Sequence, residues 1–391
     1  MNIIEIDQKY HLQVYKRFPA VFVKGEGVYL YDEKGEKYLD FLAGIGVNAL
    51  GQRYPEVVKA IKEGADELLH ISNLYYTPSQ ALLAKKLVEL SGLDRVFFLN
   101  SGSEANELAL KAARKYGMQK GRFEFVALQH AFHGRTMGAL SVTGKEKYKK
   151  GYKPLINGVI FVPPNDLKAF ESALTDETAA VIMETIQGEG GMTVLNKDFV
   201  KGVRERTKER DILLIIDEIQ TGMGRTGKIF SYFHFDIKPD IVTVAKALGG
   251  GLPIGATIFS EKVVSVMDFG AHGSTFGGNP LITKVALKVL NIISDEKFLK
   301  NVEEKGDYFR EALKKSVGNL DIVREIRGKG LMVGVELKDK IIRDVAQKMF
   351  EKKILIGLSG DYTLRFLPPL IVEYEQIDEV VRTLKEVLSE F

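Results

Sequence analysis

An aspartate and a lysine near the middle of the chain hold the chemistry that the rest of the sequence must explain. The run Ile212 to Ile216 ends on Asp217, and the run Val242-Thr243-Val244-Ala245 ends on Lys246, with Gly249, Gly250 and Gly251 just beyond. Both runs are apolar and rich in branched residues, the pattern of strands buried on both faces of a parallel sheet. Binding crevices in open α/β sheets lie at the carboxyl ends of strands. A spacing of 246 − 217 = 29 positions suits one strand–crossover–strand step, so acid and amine would face one pocket. A lysine in apolar surroundings gives up its proton readily and attacks carbonyls. A fixed carboxylate opposite it suits the pyridinium nitrogen of pyridoxal phosphate, which that cofactor needs to act as an electron sink. Taken singly, each residue has a plainer reading: a solvated turn lysine, and an aspartate capping a helix. The pairing stands only if other segments agree.

The surrounding elements do supply a frame. From Pro55 onward helical and strand patterns alternate. Glu56 to Leu69, Ser79 to Leu90 and Ser103 to Tyr116 have helical spacing, and Arg95 to Leu99, Phe123 to Leu128, Gly158 to Val162 and Ala179 to Glu184 read as short apolar strands. With the two central runs they form a βαβ series, which predicts an α/β fold whose mainly parallel sheet is covered by helices on both faces. Asp32-Glu33-Lys34-Gly35 is a hairpin turn signal near the start, and Ile377, Val380, Val381, Leu384, Val387 and Leu388 form one apolar helical stripe at the end. These patterns divide the chain into a large central domain, 55–279, and a smaller α+β domain built from both ends, 1–54 and 280–391.

Composition narrows the class of function. The chain has 391 residues, enough for two domains and a large core. Its 55 basic and 52 acidic residues are dispersed, which gives no reason to expect nucleic acid or a membrane surface as partner. With no cysteine, disulfides and thiolate catalysis are excluded. The charged N-terminal stretch does not read as a secretory signal, and no apolar run approaches the roughly 18 residues of a membrane span. A cytoplasmic location is the expectation.

Asn100-Ser101-Gly102-Ser103-Glu104 joins a strand to a helix. The free N–H groups of such a helix start bind anions, here a phosphate, although Ser101 and Glu104 also have capping-box spacing. Gly222-Met223-Gly224-Arg225-Thr226-Gly227-Lys228 matches a dinucleotide fingerprint and nearly matches a P-loop. Both motifs need an amphipathic helix next, and Ile229 to Phe235 has no helical stripe, so nucleotide binding is the weaker reading. His130 and His133 sit three apart without nearby partners, too little for a metal site. Phe132 between them reads either as a core plug or as a ring stacked on a flat cofactor.

Taken together, Ser101 to Asn106, Phe132 to Thr136, Glu184 to Gly191, Asp217 to Gly222, Lys246 and Gly273 to Pro280 resemble, in order and over essentially the whole chain, the class III (ornithine-type) aminotransferases of PLP fold type I. Val47 to Gly51 and Ser72 to Tyr76 add to the likeness and point, within the family, to N2-acetyl-L-ornithine as amino donor. The resemblance implies that Lys246 carries pyridoxal 5'-phosphate covalently and that Asp217 pairs with its pyridine nitrogen. Gln220 would lie near the phenolic oxygen and Phe132 on the ring face. Gly102 and Ser103 would bind the phosphate together with Thr275 of a partner subunit, which implies a homodimer with shared sites. Arg135, Ser274 and Arg365 would contact substrate. Ser103 stands where the family commonly has threonine, and Thr185 where it has proline; no catalytic group is lost.

The activity implied is transfer of the donor's terminal amine to 2-oxoglutarate, giving N-acetyl-L-glutamate 5-semialdehyde and glutamate, a step of arginine biosynthesis. Arg135 could hold the distant carboxylate of both substrates, with Arg365 needed only for 2-oxoglutarate. Glu189, flanked by Gly188 and Gly190 and so able to swing, would mask Arg365 in the first half-reaction. The alternatives are the same chemistry on ornithine, 4-aminobutyrate, succinylated diamines such as succinyl-diaminopimelate, or a carrier-linked lysine. A PLP aminomutase or racemase would also keep Lys246 and Asp217. A non-enzymatic or nucleotide-binding protein is the outside reading.

Overall fold

The computed structural model describes residues 2–391. At its centre seven strands lie in the order Arg95–Leu99, Gly255–Phe259, Ile241–Val244, Leu213–Asp217, Thr178–Met183, Glu124–Leu128, Val159–Val162. The five from Ile241–Val244 to Val159–Val162 pair in parallel, as the βαβ pattern predicts. Gly255–Phe259, which the sequence pattern does not single out, runs antiparallel to both neighbours. Its small residues carry little strand signal, and the short return from Lys246 cannot make the long crossover that a parallel neighbour needs.

All residues of Leu213–Asp217 are buried, and alternate ones serve opposite faces. Leu213 and Ile215 pack with Leu108, Ala109 and Ala112 of the helix Gly102–Met118. Leu214 and Ile216 belong to a second apolar cluster with Phe199, Val203 and Val289. Period-two alternation with both sets apolar is what a helix-covered strand requires.

The two ends of the chain meet. Phe22–Glu26, Tyr29–Asp32 and Lys37–Asp40 form an antiparallel ribbon, and Ile354–Leu355 adds in parallel to Lys37–Asp40. Asp32 closes the expected turn, its Oδ1 accepting from the N–H groups of Lys34 (3.0 Å) and Glu36 (2.9 Å). A further four-stranded sheet, Val323–Lys329, Met332–Leu337, Thr363–Phe366 and Gly357–Ser359, holds Arg365 on an inner strand. The last helix, Tyr374–Leu388, buries the whole apolar stripe read from the sequence. The helix Pro280–Ile293 packs against Pro55–Glu67 and Pro78–Ser91, so it adheres to the segments on the other side of the expected boundary at 279. No helix among the described residues is long and apolar enough to cross a membrane.

Gly222 to Lys228 performs a structural task. It is followed by a 3₁₀ turn, Ser231–Phe235, rather than by an amphipathic helix. Arg225 is fully buried and its Nη1 donates to the carbonyls of Leu331 (3.0 Å) and Pro368 (2.5 Å). That guanidinium ties the loop after Asp217 to the C-terminal part of the chain.

Candidate active site

Asp217 and Lys246 do face one pocket. Their strands are adjacent and parallel, with Asp217 opposite Thr243. Asp217 is the last residue of its strand, whereas Lys246 lies beyond its own, at the start of a 3₁₀ turn. Lys246 has φ +45°, a left-handed conformation rare for a residue with a Cβ and costing on the order of 1 kcal/mol or more. Gly250 (φ +57°) and Gly251 (φ +109°) continue that unusual path, which is why glycines follow the lysine.

Both residues line a cavity of about 380 Å³, with Gly102, Ser103, Phe132 and Gln220 among the other walls. One wall is the N-terminus of the helix Gly102–Met118. Ser101 caps it, accepting from the Glu104 N–H at 3.2 Å, while Glu104 Oε2 accepts from Asn100 N at 2.6 Å. The capping and anion readings therefore coexist: the cap occupies the Ser101 hydroxyl, and the N–H groups of Gly102 and Ser103 have no acceptor among the described residues. Those donors suit a phosphate.

Asp217 is held by three donors. Its Oδ2 accepts from Asn106 Nδ2 (2.8 Å) and His133 Nδ1 (2.7 Å), and its Oδ1 from Ile219 N (3.0 Å). Asn106 is fixed in turn by Thr243 Oγ1, which donates to its Oδ1 at 2.8 Å. Three bonds of this kind fix the direction in which a buried carboxylate is aimed. Asn106 carries no role legible in spacing, and His133, which its spacing from His130 offers only as a weak metal ligand, is an orienting partner of Asp217. Among the described residues no group of three His, Asp or Glu could hold a metal ion.

Glu184 is a further buried acid of the site, accepting from Phe132 N (3.0 Å) and Gly188 N (3.1 Å). It thereby stitches the Phe132 loop to the loop of Glu189. Burial, reinforced by the charge of Asp217 and opposed by His133 and by its two backbone bonds, pushes its pKa up to about 7.

Glu189 and Arg365 form an ion pair, Nη1 to Oε1 at 2.5 Å. The same nitrogen donates to the carbonyl of Gly188 (3.1 Å) and reaches Gln220 Oε1 (3.4 Å), which links the pair to the cavity. Arg365 is 4 % exposed, and its Nε has no partner among the described residues. Its cross-strand neighbours are Gly334 and Gly357, and a Cβ on Gly357 would stand 3.2 Å from the Arg365 Nε, so the missing side chain makes room for the guanidinium.

The flanking glycines of Glu189 have a packing reason as well. Neither has a positive φ. A Cβ on Gly188 would lie 2.2 Å from Gln220 Oε1, and one on Gly190 would lie 2.8 Å from Gln187 Cβ. They permit close packing of the loop against Gln220 and Gln187.

Besides Glu189 and Arg365, which reach the cavity only through Gln220, three expected residues lie off its walls within one chain. Arg135 is exposed, its guanidinium 4.0 Å from the centre of the Tyr148 ring and 5.5 Å from that of Phe132. Ser274 Oγ accepts from Asn100 Nδ2 at 3.3 Å, beside the wall. Thr275 is exposed and lines a separate surface hollow with His70 and Asn73.

The residues fit pyridoxal phosphate: anion-binding N–H groups, a flat ring wall, an oriented carboxylate and an amine share one cavity. The amine is also tuned. Burial, and secondarily the positive charge of Arg365, lower the Lys246 pKa from 10.5 to about 8, against the opposing pull of Asp217, Glu189 and Glu184. Only the neutral amine attacks a carbonyl. Capture of the cofactor by apoenzyme should therefore quicken about tenfold per pH unit up to about 8 and level off above it. Absorbance-monitored reconstitution at several pH values checks this; a rate still climbing steeply at pH 10 would contradict it.

Comparison with known proteins agrees with this chemistry. A family model described as aminotransferase class-III matches residues 11–388. An acetylornithine aminotransferase of Methanocaldococcus jannaschii is 50% identical, the match covering 100% of this chain and 98% of the relative. One of Aquifex aeolicus is 47% identical over 97% of this chain and 100% of the relative. Among solved structures, the ornithine aminotransferase of Toxoplasma gondii superposes with a TM-score of 0.95 at 33% identity, over 99% of this chain and 94% of that one. The N-acetylornithine aminotransferase of Stenotrophomonas maltophilia does so with a TM-score of 0.86 at 32% identity, over 100% and 99%. With matches across its whole length and an amine, an acid and an anion cradle in one cavity, the chain belongs to the class III aminotransferases, enzymes dependent on pyridoxal 5'-phosphate.

Proposed function

We propose that the enzyme moves the terminal amine of N2-acetyl-L-ornithine to 2-oxoglutarate, yielding N-acetyl-L-glutamate 5-semialdehyde and glutamate within arginine biosynthesis. The observation that carries the reading is the Glu189–Arg365 pair, joined to the Lys246 cavity through Gln220, beside relatives named for the acetylated donor. When bound, pyridoxal phosphate supplies an aldehyde for the donor amine and a protonated ring that takes up the electron pair of the breaking carbon–hydrogen bond.

The chain's own residues do the rest. Gly102 and Ser103 N–H groups would hold the phosphate, and Phe132 would wall the ring. Asp217, oriented by Asn106 and His133, would keep the proton on the pyridine nitrogen, and Gln220 would serve the phenolic oxygen. Lys246 Nζ carries the cofactor at rest. Its freed amine would serve as the base that takes the proton from the donor carbon and as the acid that gives it back on the cofactor side. Arg135 holds the distant carboxylate, with Ser274 beside it. An ω-amino donor places no carboxylate next to its reacting carbon, so Arg365 stays covered by Glu189. 2-Oxoglutarate does, and needs Arg365 uncovered.

Glu189→Ala should leave Arg365 permanently available. The variant is expected to lose efficiency with N-acetylornithine and gain it with glutamate as donor, by about tenfold in the ratio. Arg365→Ala should harm the 2-oxoglutarate half far more than the amine half. Single-turnover kinetics of each half separate these, and equal losses in both halves for both variants would reduce the pair to a structural role. The choice of donor is tested by a panel of ω-amines with 2-oxoglutarate. N-acetylornithine should give the highest kcat/KM; a higher value for ornithine, 4-aminobutyrate, succinyl-diaminopimelate or carrier-linked lysine would reassign the substrate.

The working assembly is proposed to be a homodimer in which Thr275 completes the partner's phosphate site. Asn73 Nδ2 donates to the carbonyls of Ser274 (3.1 Å) and Gly277 (2.9 Å), binding the 273–277 loop to a segment where Leu69, Leu74, Tyr75 and Tyr76 are all exposed. Such a patch beside an exposed Phe276 calls for a covering surface. A fully active species with the sedimentation mass of one chain would contradict it. The same reading places 55–279 in the larger domain and 1–54 with 280–391 in the smaller, the helix Pro280–Ile293 being the connection that packs on the larger. It also places the enzyme in the cytoplasm.

A further inference from the structure

If Glu189 uncovers Arg365, its carboxylate needs somewhere to go. The backbone cannot carry it, because the loop is tethered at each step. Arg365 Nη1 (3.1 Å) and Ser359 Oγ (2.8 Å) donate to the Gly188 carbonyl, Lys145 Nζ to that of Glu189, and Arg327 Nε (2.9 Å) to that of Gly191. Gly191 N donates back to Ser359 Oγ at 2.8 Å. Only rotation of the Glu189 side chain remains, and a cavity of about 940 Å³ lies beside it, lined by Lys145, Lys147, Gly190 and Arg327 among others.

Of the three cations on that wall, two are taken. Arg327 pairs with Glu325 and Glu336, and Lys147 with Asp361. Lys145 alone among them has no carboxylate partner among the described residues, although it is only 9 % exposed. A poorly solvated ammonium with no carboxylate in ion-pair contact gains from the arrival of one. It already sits on the carbonyl of Glu189, within the span of that residue's own side chain. Burial lowers its pKa, and the charge of Glu189 is the largest influence opposing this.

We propose that Lys145 is the second dock of Glu189, receiving its carboxylate when the substrate's own carboxylate takes Arg365. The inference rests on the reading of Glu189 as a mask. Lys145 would then be a positioning residue that lowers the cost of the uncovered state and so favours 2-oxoglutarate over the ω-amine at equal concentrations.

Glutarate has both carboxylates of 2-oxoglutarate and no carbonyl, so its binding to holoenzyme reads the uncovered state without turnover. Lys145→Gln keeps a donor for the Glu189 carbonyl and removes the charge. It should weaken glutarate binding, measured by calorimetry, by roughly tenfold, while single-turnover reaction with N-acetylornithine changes less than about twofold. Lys145→Arg should restore glutarate affinity. In a Glu189→Ala background Lys145→Gln should have no further effect, since nothing remains to dock. Unchanged glutarate affinity in Lys145→Gln, equal damage to the amine half, or a loss that persists without Glu189 would overturn the assignment. If Glu189→Ala itself left donor preference unchanged, the mask would fall and Lys145 with it. If that variant shifted preference while Lys145→Gln stayed silent, only the dock would fall.

Discussion

Lys246→Ala is expected to lower turnover by about 10⁴-fold or more and to remove the absorbance of the covalent lysine–cofactor link. The residue is asked to act twice, as the anchor of the cofactor and as the group that moves the proton between donor carbon and cofactor. Its surroundings serve both tasks. The strained backbone at φ +45° fixes where the side chain enters the cavity, and burial brings its pKa to about 8, near neutrality. No other lysine lines that cavity, so no neighbour can substitute. Activity within tenfold of the parent enzyme would remove Lys246 from the centre of the mechanism.

Asp217→Asn keeps shape and removes charge. The side chain sits among Asn106, His133 and the N–H of Ile219, so the substituted amide would meet donors where a carboxylate accepted. Cofactor should stay bound through Lys246 and the phosphate cradle, while the pyridine nitrogen loses the anion that holds its proton. The barrier should rise on the order of 4 kcal/mol or more, about a thousandfold in rate. Steady-state kinetics on cofactor-saturated protein measures this; a fall of less than about tenfold would mean that Asp217 is not the partner of the ring nitrogen.

Much of the fold is legible because the buried strands are continuous apolar runs, a local signal that survives without tertiary information. Ile212 to Ile216 and Ile241 to Val244 declare themselves, and their adjacency follows from the crossover length. Gly255–Phe259 does not, because glycine, alanine and threonine give no such run and its burial comes from its neighbours. In the site, residues that meet the cavity at element ends, such as Gly102, Asp217 and Lys246, are marked by where they fall in the pattern. Those that act through a partner are not. Asn106 reaches Asp217 across 111 positions and His133 across 84, and neither distance leaves a trace in spacing. Lys145 and Arg225 look like ordinary charged loop residues until burial isolates them. Gly188 and Gly190 have a packing reason that spacing does not reveal, since Gln220 and Gln187 leave no room for a side chain there.

The central claim is transfer of a terminal amine between two substrates, and its most direct test follows the nitrogen. Holoenzyme is given N-acetylornithine labelled with ¹⁵N on the terminal amine, with and without 2-oxoglutarate. The label should appear in glutamate, one equivalent for each semialdehyde formed, and multiple turnovers should require 2-oxoglutarate. Label retained in a rearranged donor, or turnover indifferent to 2-oxoglutarate, would contradict transamination and favour an aminomutase or racemase on the same fold.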